Sequence, residues 1–280
     1  MSRPGGRLVA VFCLFLTVSA RAGPVPAKRI VSLAPHLTEL VFDAGAGSLL
    51  VGAVEYSDYP SEARAIPRVG DAFRLDRERL AKLEPDLVLA WKGGTPDSVI
   101  TQLQQTGYRV EAIEILDPAG VADALERVGQ LAGTANIAGR RAASFRNGFA
   151  DLQREYSGRT PVRVFFQVSE RPLFTVGADQ LIGKVIETCG GLNVFAELQQ
   201  LAAVVSEESV VAADPQVILT PARAGDDPLA RWRRFRRMAA VRNDHMFVVD
   251  GDQVARQSLR LIEGARQVCE LIDRVRPPEA

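Results

Sequence analysis

The chain of 280 residues has only two histidines, His36 and His245, which excludes a metal site built on several imidazoles. Its three cysteines, Cys13, Cys189 and Cys269, make no C-x-x-C pair. The signatures H-E-x-x-H and G-x-S-x-G are absent, so the commonest hydrolase and metalloprotease constellations are missing. No apolar run reaches the roughly 20 residues that span a bilayer, which excludes a polytopic membrane protein. Neither sign of charge dominates: 34 Lys+Arg stand against 34 Asp+Glu, where a nucleic-acid binder is usually basic. What is present is ordinary for a globular chain, with 47% hydrophobic and 24% charged residues. The length suggests about two domains at roughly 100–200 residues each.

Two partial motifs fail on spacing. Gly177 to Lys184 resembles a phosphate loop, but one residue too many separates its glycines, and Val185 replaces the magnesium-binding Ser/Thr. Gly45, Gly47 and Gly52 follow a helical stretch instead of opening one, so they do not form a dinucleotide fingerprint. The cluster Arg231, Arg233, Arg234, Arg236 and Arg237 surrounds Trp232 and Phe235 and reads as a solvated helix face over two core aromatics.

Residues 1–22 have the layout of a secretory signal peptide. Arg3 and Arg7 precede the apolar run Leu8 to Ala20, and Ala20-Arg21-Ala22 supplies a small-residue cleavage site. Cys13 lacks the small residue before it that a lipoprotein signal carries, so a free periplasmic protein is expected, with a lipid anchor as the alternative. Removing residues 1–22 takes away Arg3, Arg7 and Arg21 and no acid, leaving 31 basic and 34 acidic side chains, a net charge of −3. Cys189 and Cys269 remain. In an oxidising compartment such a pair reads as a disulfide, the alternative being two buried thiols.

The exported part alternates short β-rich runs with helical periodicity, which predicts α/β structure with parallel strands. Strands are expected at 29–34, 50–54, 87–91 and 110–115, with helices at 37–44, 76–84, 98–106 and 121–131. From about Ala135 to Tyr156 the pattern changes: Phe145, Phe149, Leu152 and Tyr156 form one apolar stripe on a long helix. Ser157-Gly158 and Pro161 end it. Strands at 162–168, 217–220 and 246–249 follow, with helices at 182–189, 208–213, 228–239 and 259–275. Residues 78–89 (ERLAKLEPDLVL) and 208–219 (ESVVAADPQVIL) echo each other at an offset of 130. Each is a helix feeding a buried strand, which suggests two similar lobes. The expected division is a leader (1–22), an N-terminal lobe (28–134), a linking helix (135–158) and a C-terminal lobe (159–280).

The blocks RIVSLAPHLTEL, VGAVEYSDYP, ERLAKLEPDLVLAWKGG, RVFFQVSERPLFTVG, VIETCGGLNVF and VVSEESVVAADPQVIL resemble the periplasmic cobalamin (vitamin B12)-binding proteins, the soluble receptors of ABC importers. The resemblance runs from about Arg29 to Val275. It implies two Rossmann-like lobes with parallel sheets, joined by one rigid helix, with the ligand cleft between them. It also implies a monomeric binder, not an enzyme, with membrane subunits of an ABC importer as partner. Nucleic acid is not an expected partner, and no cofactor is expected, because the corrinoid is the ligand. The wider class includes haem- and ferric-siderophore-binding receptors, the alternative function; a periplasmic enzyme is the rival of a different kind.

By the same resemblance, Tyr56, Trp91 and Phe174 are ring-contacting aromatics, and Asp252 and Arg256 are polar contacts; Pro35 and His36 stand at the cleft edge because ligands of open α/β sheets sit outside the carboxyl ends of the strands. Trp91 and Phe174 read alternatively as core residues, and Asp252 with Arg256 as a surface ion pair at i, i+4. His36 reads as a first-turn helix residue facing solvent, or as an axial ligand through neutral imidazole. Ala72 and Ala202 stand near positions where the resemblance implies cleft tryptophans, with Phe73 beside the first. A related corrinoid such as cobinamide, or another tetrapyrrole, therefore fits this thinner cradle as well. Glu78 and Glu208, which open the two repeats, are implied to dock the receptor on its transporter; the helix dipole alone also favours Glu there.

Overall fold

The computed structural model describes residues 25–71, 74–200, 202–222 and 226–277. The expected leader, with Cys13, and Ala72 with Phe73 lie outside the described residues. The first lobe is built from β1 (Ile30–Ser32), α1 (Pro35–Asp43), β2 (Leu50–Ala53), α2 (Arg77–Lys82), β3 (Leu87–Trp91), α3 (Asp97–Gln105), β4 (Val110–Ile113) and α4 (Pro118–Ala132). The helix α5 (Ala135–Tyr156) then crosses to the second lobe. That lobe begins with β5 (Val162–Phe166), β6 (Phe174–Thr175), α6 (Leu181–Thr188), β7 (Gly191–Asn193), β8 (Ala203–Val204) and α7 (Glu207–Ala213). It ends with β9 (Val217–Pro221), α8 (Ala239–Arg242), β10 (Met246–Val249), α9 (Gly251–Ala255) and α10 (Leu261–Asp273).

The strands of β1, β3, β5 and β9 are apolar along nearly their whole length because helices cover both faces of each sheet. The first sheet runs β2-β1-β3-β4 and the second β7-β5-β9-β10, every pair parallel. Counted in chain order within each lobe, both sheets read second, first, third, fourth. The repeat seen in the sequence falls on matching elements: α2 feeds β3, and α7 feeds β9. Each of these helices is capped by its own side chain, Asp76 accepting from the Arg79 N–H and Ser206 from the Ser209 N–H. Glu78 and Glu208 both follow their cap by two residues.

The long helix α5 has 22 residues, about 33 Å at 1.5 Å per residue. Its predicted stripe, Phe145, Phe149, Leu152 and Tyr156, is buried, together with Ala138 and Ala142. Helix α4 lies closely along it: a Cβ on Gly129 would stand 2.3 Å from the Cβ of Ala138. One contiguous core runs from Ala27 and Ile30 in the first lobe, through α5, to Val268 and Ile272 in the second. Smaller clusters line the outer face of each sheet. The lobes are therefore packed together along α5.

The two cysteines are joined as expected. Cys189 caps α6 and Cys269 lies in α10, with Cα atoms 4.7 Å apart and a sequence separation of 80. The Arg276 guanidinium donates to the Cys189 carbonyl at 2.6 Å and fastens the chain end to the same spot.

The helix expected over 228–239 is not formed. The chain instead makes a 3-10 turn over Ala230–Arg234 and then α8. Trp232 is fully buried, its Nε1 donating to Gln167 Oε1 at 2.7 Å, and Phe235 packs beside it, as the sequence suggested. Trp232 and Phe235 are three apart, a spacing that a 3-10 turn brings together as well as an α-helix does. The arginines are not one solvated helix face: Arg231 bonds the Glu170 carbonyl at 2.8 Å and Arg233 pairs with Asp227 at 2.7 Å. The strands β6, β7 and β8, of two or three residues each, carry too little pattern to be read from sequence.

Candidate functional site: a cleft between the lobes

A cavity of about 1240 Å³ opens where the carboxyl ends of β5, β9 and β10 face the first lobe. That is where ligands sit in open α/β sheets, because the strand ends free the following loops to form a wall. The first lobe contributes Tyr56 and Asp58; the second contributes segments at 167–170, 220–222, 226–228 and 248–252, with Arg256 and Gln267. The wall is rich in carboxylates: Asp58, Glu170, Asp226, Asp227, Asp250 and Asp252. Among its described residues Arg256 is the one cation.

Tyr56 is held at φ 64°, a left-handed conformation that side chains other than glycine rarely adopt, and is 74% exposed. The ring therefore adds little to the packing of the core. Asp252 lies in the first turn of α9, whose cap Asp250 accepts from the Asp252 and Gln253 N–H groups.

The other aromatics expected at the site are not among the residues that line this cavity. Trp91 ends β3, half-buried against the shared core. Gly94 folds back on its ring, so closely that a Cβ there would lie 1.8 Å from Trp91 Cε3. Phe174 is half-buried in β6, and its N–H donates to the carbonyl of the lining residue Ser169 at 3.3 Å. Pro35 starts α1 and is also half-buried. The cleft thus brings together Tyr56, Asp252 and Arg256, and does not include Pro35, His36, Trp91 or Phe174 in its lining. Ala202, at an approximate tryptophan position, is exposed before β8 and is not in the lining either.

His36 does not face solvent. It is 5% exposed and meets the Trp91 ring edge-on at 5.1 Å between centroids. Burial first, and the Arg256 charge second, push its pKa down to about 3, so it is neutral at any working pH. Its Nε2 is buried without a hydrogen-bond partner among the described residues. The reason is register: the turn from β1 into α1 is only two residues long, which rotates position 36 inward under Trp91.

Arg256 is not a simple surface partner of Asp252. Its Nε lies 3.1 Å from Asp252 Oδ1, while Nη1 donates to Glu39 Oε1 at 2.8 Å and to Asp58 Oδ1 at 2.9 Å. Glu39 is 1% exposed, and its other oxygen accepts from the Ser258 hydroxyl at 2.6 Å. Arg260 approaches Glu39 Oε1 at 3.5 Å and lies over the Tyr59 ring at 4.1 Å. Partial burial opposes ionisation of Asp58, but the hydrogen bond and charge of Arg256 hold its carboxyl below the usual range. Sequence reasoning missed Asp58, which lines the cleft, and Glu39, Ser258 and Arg260, which are joined to Arg256 in this cluster. The available signal was Glu39 itself, a lone acid among the apolar residues of PHLTELVF.

Glu78 and Glu208 lie away from the cleft on α2 and α7. Glu78 pairs with Lys82 at 2.6 Å, with 81% of its side chain exposed. Glu208 is exposed, and its carboxyl is held below the usual range by its own backbone N–H and then by the Ser206 hydroxyl. Among the described residues no helix is long and apolar enough to cross a membrane.

Comparison with known proteins agrees with this architecture. The vitamin B12-binding protein of Vibrio cholerae serotype O1 is 35% identical over 264 residues, covering 94% of this chain and 95% of that protein. The crystal structure of the periplasmic vitamin B12 binding protein of Vibrio cholerae superposes with a TM-score of 0.83 at 32% identity, covering 89% of this chain and 98% of that one. A periplasmic heme-binding protein from Roseiflexus shares the fold, with a TM-score of 0.77 at 24% identity, covering 89% of this chain and 99% of the other. The family model described as periplasmic binding protein matches residues 30–253, and the chain belongs to that family.

Proposed function

We propose that this chain is a periplasmic receptor that captures cobalamin or a related corrinoid and delivers it to the membrane subunits of an ABC importer. The observation that carries this is the cleft: about 1240 Å³, open, at the strand ends of two facing lobes, in a chain similar over nearly its whole length to vitamin B12-binding proteins. Ordinary small-molecule pockets are about 300–1,000 Å³, so a macrocycle is the fitting class of ligand. A corrin carries a fringe of amides, whose N–H groups suit a wall of carboxylates and carbonyls. Haem carries two carboxylates, which a wall holding Asp58, Asp250 and Asp252 would disfavour. In this reading Tyr56 lies on the macrocycle, Asp252 and Arg256 meet its fringe, and Pro35, His36, Trp91 and Phe174 support the edge from behind. The receptor is a monomer without a catalytic step, released to the periplasm by cleavage near Ala22, with lobes 28–134 and 159–280 on the linking helix 135–158.

The test is gel filtration of the purified protein after separate mixing with cyanocobalamin, cobinamide and haemin, read by absorbance. Retention of a corrinoid is expected. Retention of haemin alone would sink the reading in favour of a haem receptor.

Docking falls to Glu78 and Glu208 in the same reading. They occupy matching places on two lobes of one topology, and a transporter with two identical subunits offers the same patch twice. Carboxylate–guanidinium pairing would fix orientation as well as add energy. Replacing both with Arg should leave corrinoid affinity intact and abolish uptake in a reconstituted system; transport at the normal rate would remove the docking role.

A further inference from the structure

The segment 256–260 joins α9 to α10 in the second lobe, yet its polar side chains end on the first. Arg256 reaches Glu39 and Asp58, Ser258 reaches Glu39, and Gln257 Nε2 donates to the Ile115 carbonyl at 3.1 Å. Both ion pairs of Glu39 are made by arginines of the other lobe, Arg256 and Arg260. We propose that Glu39 and Arg256 form a latch that sets the separation of the lobes before ligand arrives and thereby sets ligand affinity, Glu39 acting as the positioning residue.

The two ends of the latch differ in a way that suits this role. Glu39 is 1% exposed on α1, so its charge is tolerable only while cationic partners remain beside it. Those partners lie across the lobe boundary. Parting the lobes at the front would break both ion pairs and the Ser258 hydrogen bond together, so the cluster resists opening. Arg256 keeps 14% of its side chain exposed and lines the cleft together with Asp58. It therefore transmits the constraint from the buried anchor to the ligand wall. The shared core joins the lobes along α5, and the Glu39–Arg256 contacts join them beside the cleft. When states of wrong width become populated, the apparent dissociation constant rises by the inverse of the competent fraction.

The affinity half rests on the corrinoid-receptor reading; the distance half does not. Spin labels at Ser98→Cys and Asn243→Cys, exposed positions on the two lobes, report the inter-lobe distance in ligand-free protein by electron–electron resonance. In this background Glu39→Gln and, separately, Asp58→Asn are compared with the parent, with cyanocobalamin titrated by calorimetry. The expected result is a broadened, longer distance distribution in both. Cyanocobalamin affinity should fall on the order of tenfold for Glu39→Gln, within the span typical of coupled equilibria, and less for the more exposed Asp58→Asn. Asp58 has nearly half of its side chain in solvent, so its variant stays informative where Glu39→Gln fails to fold. Unchanged distances in the folded variants would overturn the latch. Wider distances with unchanged affinity would overturn its link to binding. Failure of the parent to bind cyanocobalamin would count against the functional reading and leave the distance measurement to judge the latch.

Discussion

The two lobes have the same strand order and the same capped helix feeding a central strand, but they contribute unequally to the cleft. In the first lobe the chain turns at once from β1 into α1, and from β3 into the Lys92-Gly93-Gly94 turn, so His36 and Trp91 fold inward. In the second lobe, residues 167–173 after β5, and 222 and 226–229 after β9, leave the sheet as loops and supply eight of the nineteen residues that line the cleft. Topology fixed where a cleft can form; loop length decided which lobe lines it. Among the described residues the first lobe gives the cleft lining one aromatic, Tyr56, and it supplies one buried anchor, Glu39.

The sharpest way to separate the lobes is the disulfide, which lies wholly in the second. Closing a loop of 80 residues stabilises by about 4 kcal/mol on the chain-entropy account, an upper figure. Chemical denaturation of a Cys189→Ser/Cys269→Ser variant should show a loss of that order. Hydrogen exchange should quicken first in α6 and α10. Loss spread evenly over both lobes would mean that the shared core, not the staple, governs the second lobe. Two titratable thiols in the unreduced, unfolded exported protein would refute the bond outright.

The junction itself supplies a pH-dependent test. Asp43 ends α1 and lies 3.3 Å from Arg141 of α5. Burial chiefly raises its pKa to about 6; Arg141 works against this, while Glu39 and Glu263 of α10 add to it. A carboxyl whose folded value lies above its ordinary 3.8 contributes stability that is complete below 3.8 and is lost as pH rises through about 6. At neutral pH the ionised group therefore works against folding. Asp43→Asn should be more stable than the parent at pH 7.5, by up to ~3 kcal/mol for a shift of about two units, and the gap should close towards pH 4. A gap independent of pH would show that Asp43 does not titrate in this range.

Much of this arrangement was legible in the sequence because it rests on periodicity. The apolar runs at 87–91 and 217–220, the stripe Phe145 to Tyr156 and the repeat at an offset of 130 each encode one burial surface. The disulfide was legible from compartment and count. The turn at 230–234 was not, because residues three apart meet in either helix type. The latch was not legible either. Its members lie up to 221 residues apart, and only folding brings Glu39 to Arg260. The inward His36 depended on a two-residue connection, where a shift of one position exchanges buried for exposed.

The smallest expected effect tests the first lobe's one aromatic in the wall. Tyr56 adopts φ 64°, and a left-handed conformation costs a side-chain-bearing residue roughly 1–2 kcal/mol. Glycine removes that strain but adds about 0.5–1 kcal/mol of chain entropy to lose on folding. Tyr56→Gly should therefore leave stability unchanged or raise it by up to about 1 kcal/mol, since the exposed ring has little packing to lose. Tyr56→Ala keeps the strained backbone without glycine's freedom and should gain nothing. Both variants lose a face for the macrocycle, worth about 0.5–1.5 kcal/mol beyond area burial, so cyanocobalamin affinity should fall about two- to tenfold in each. The pair separates two causes: a ring kept for ligand predicts weaker binding with stability held, as strain stored at a binding position requires. A Tyr56→Gly variant that is less stable yet binds as tightly as the parent would make Tyr56 a packing residue, and the described wall would then offer a macrocycle no aromatic face.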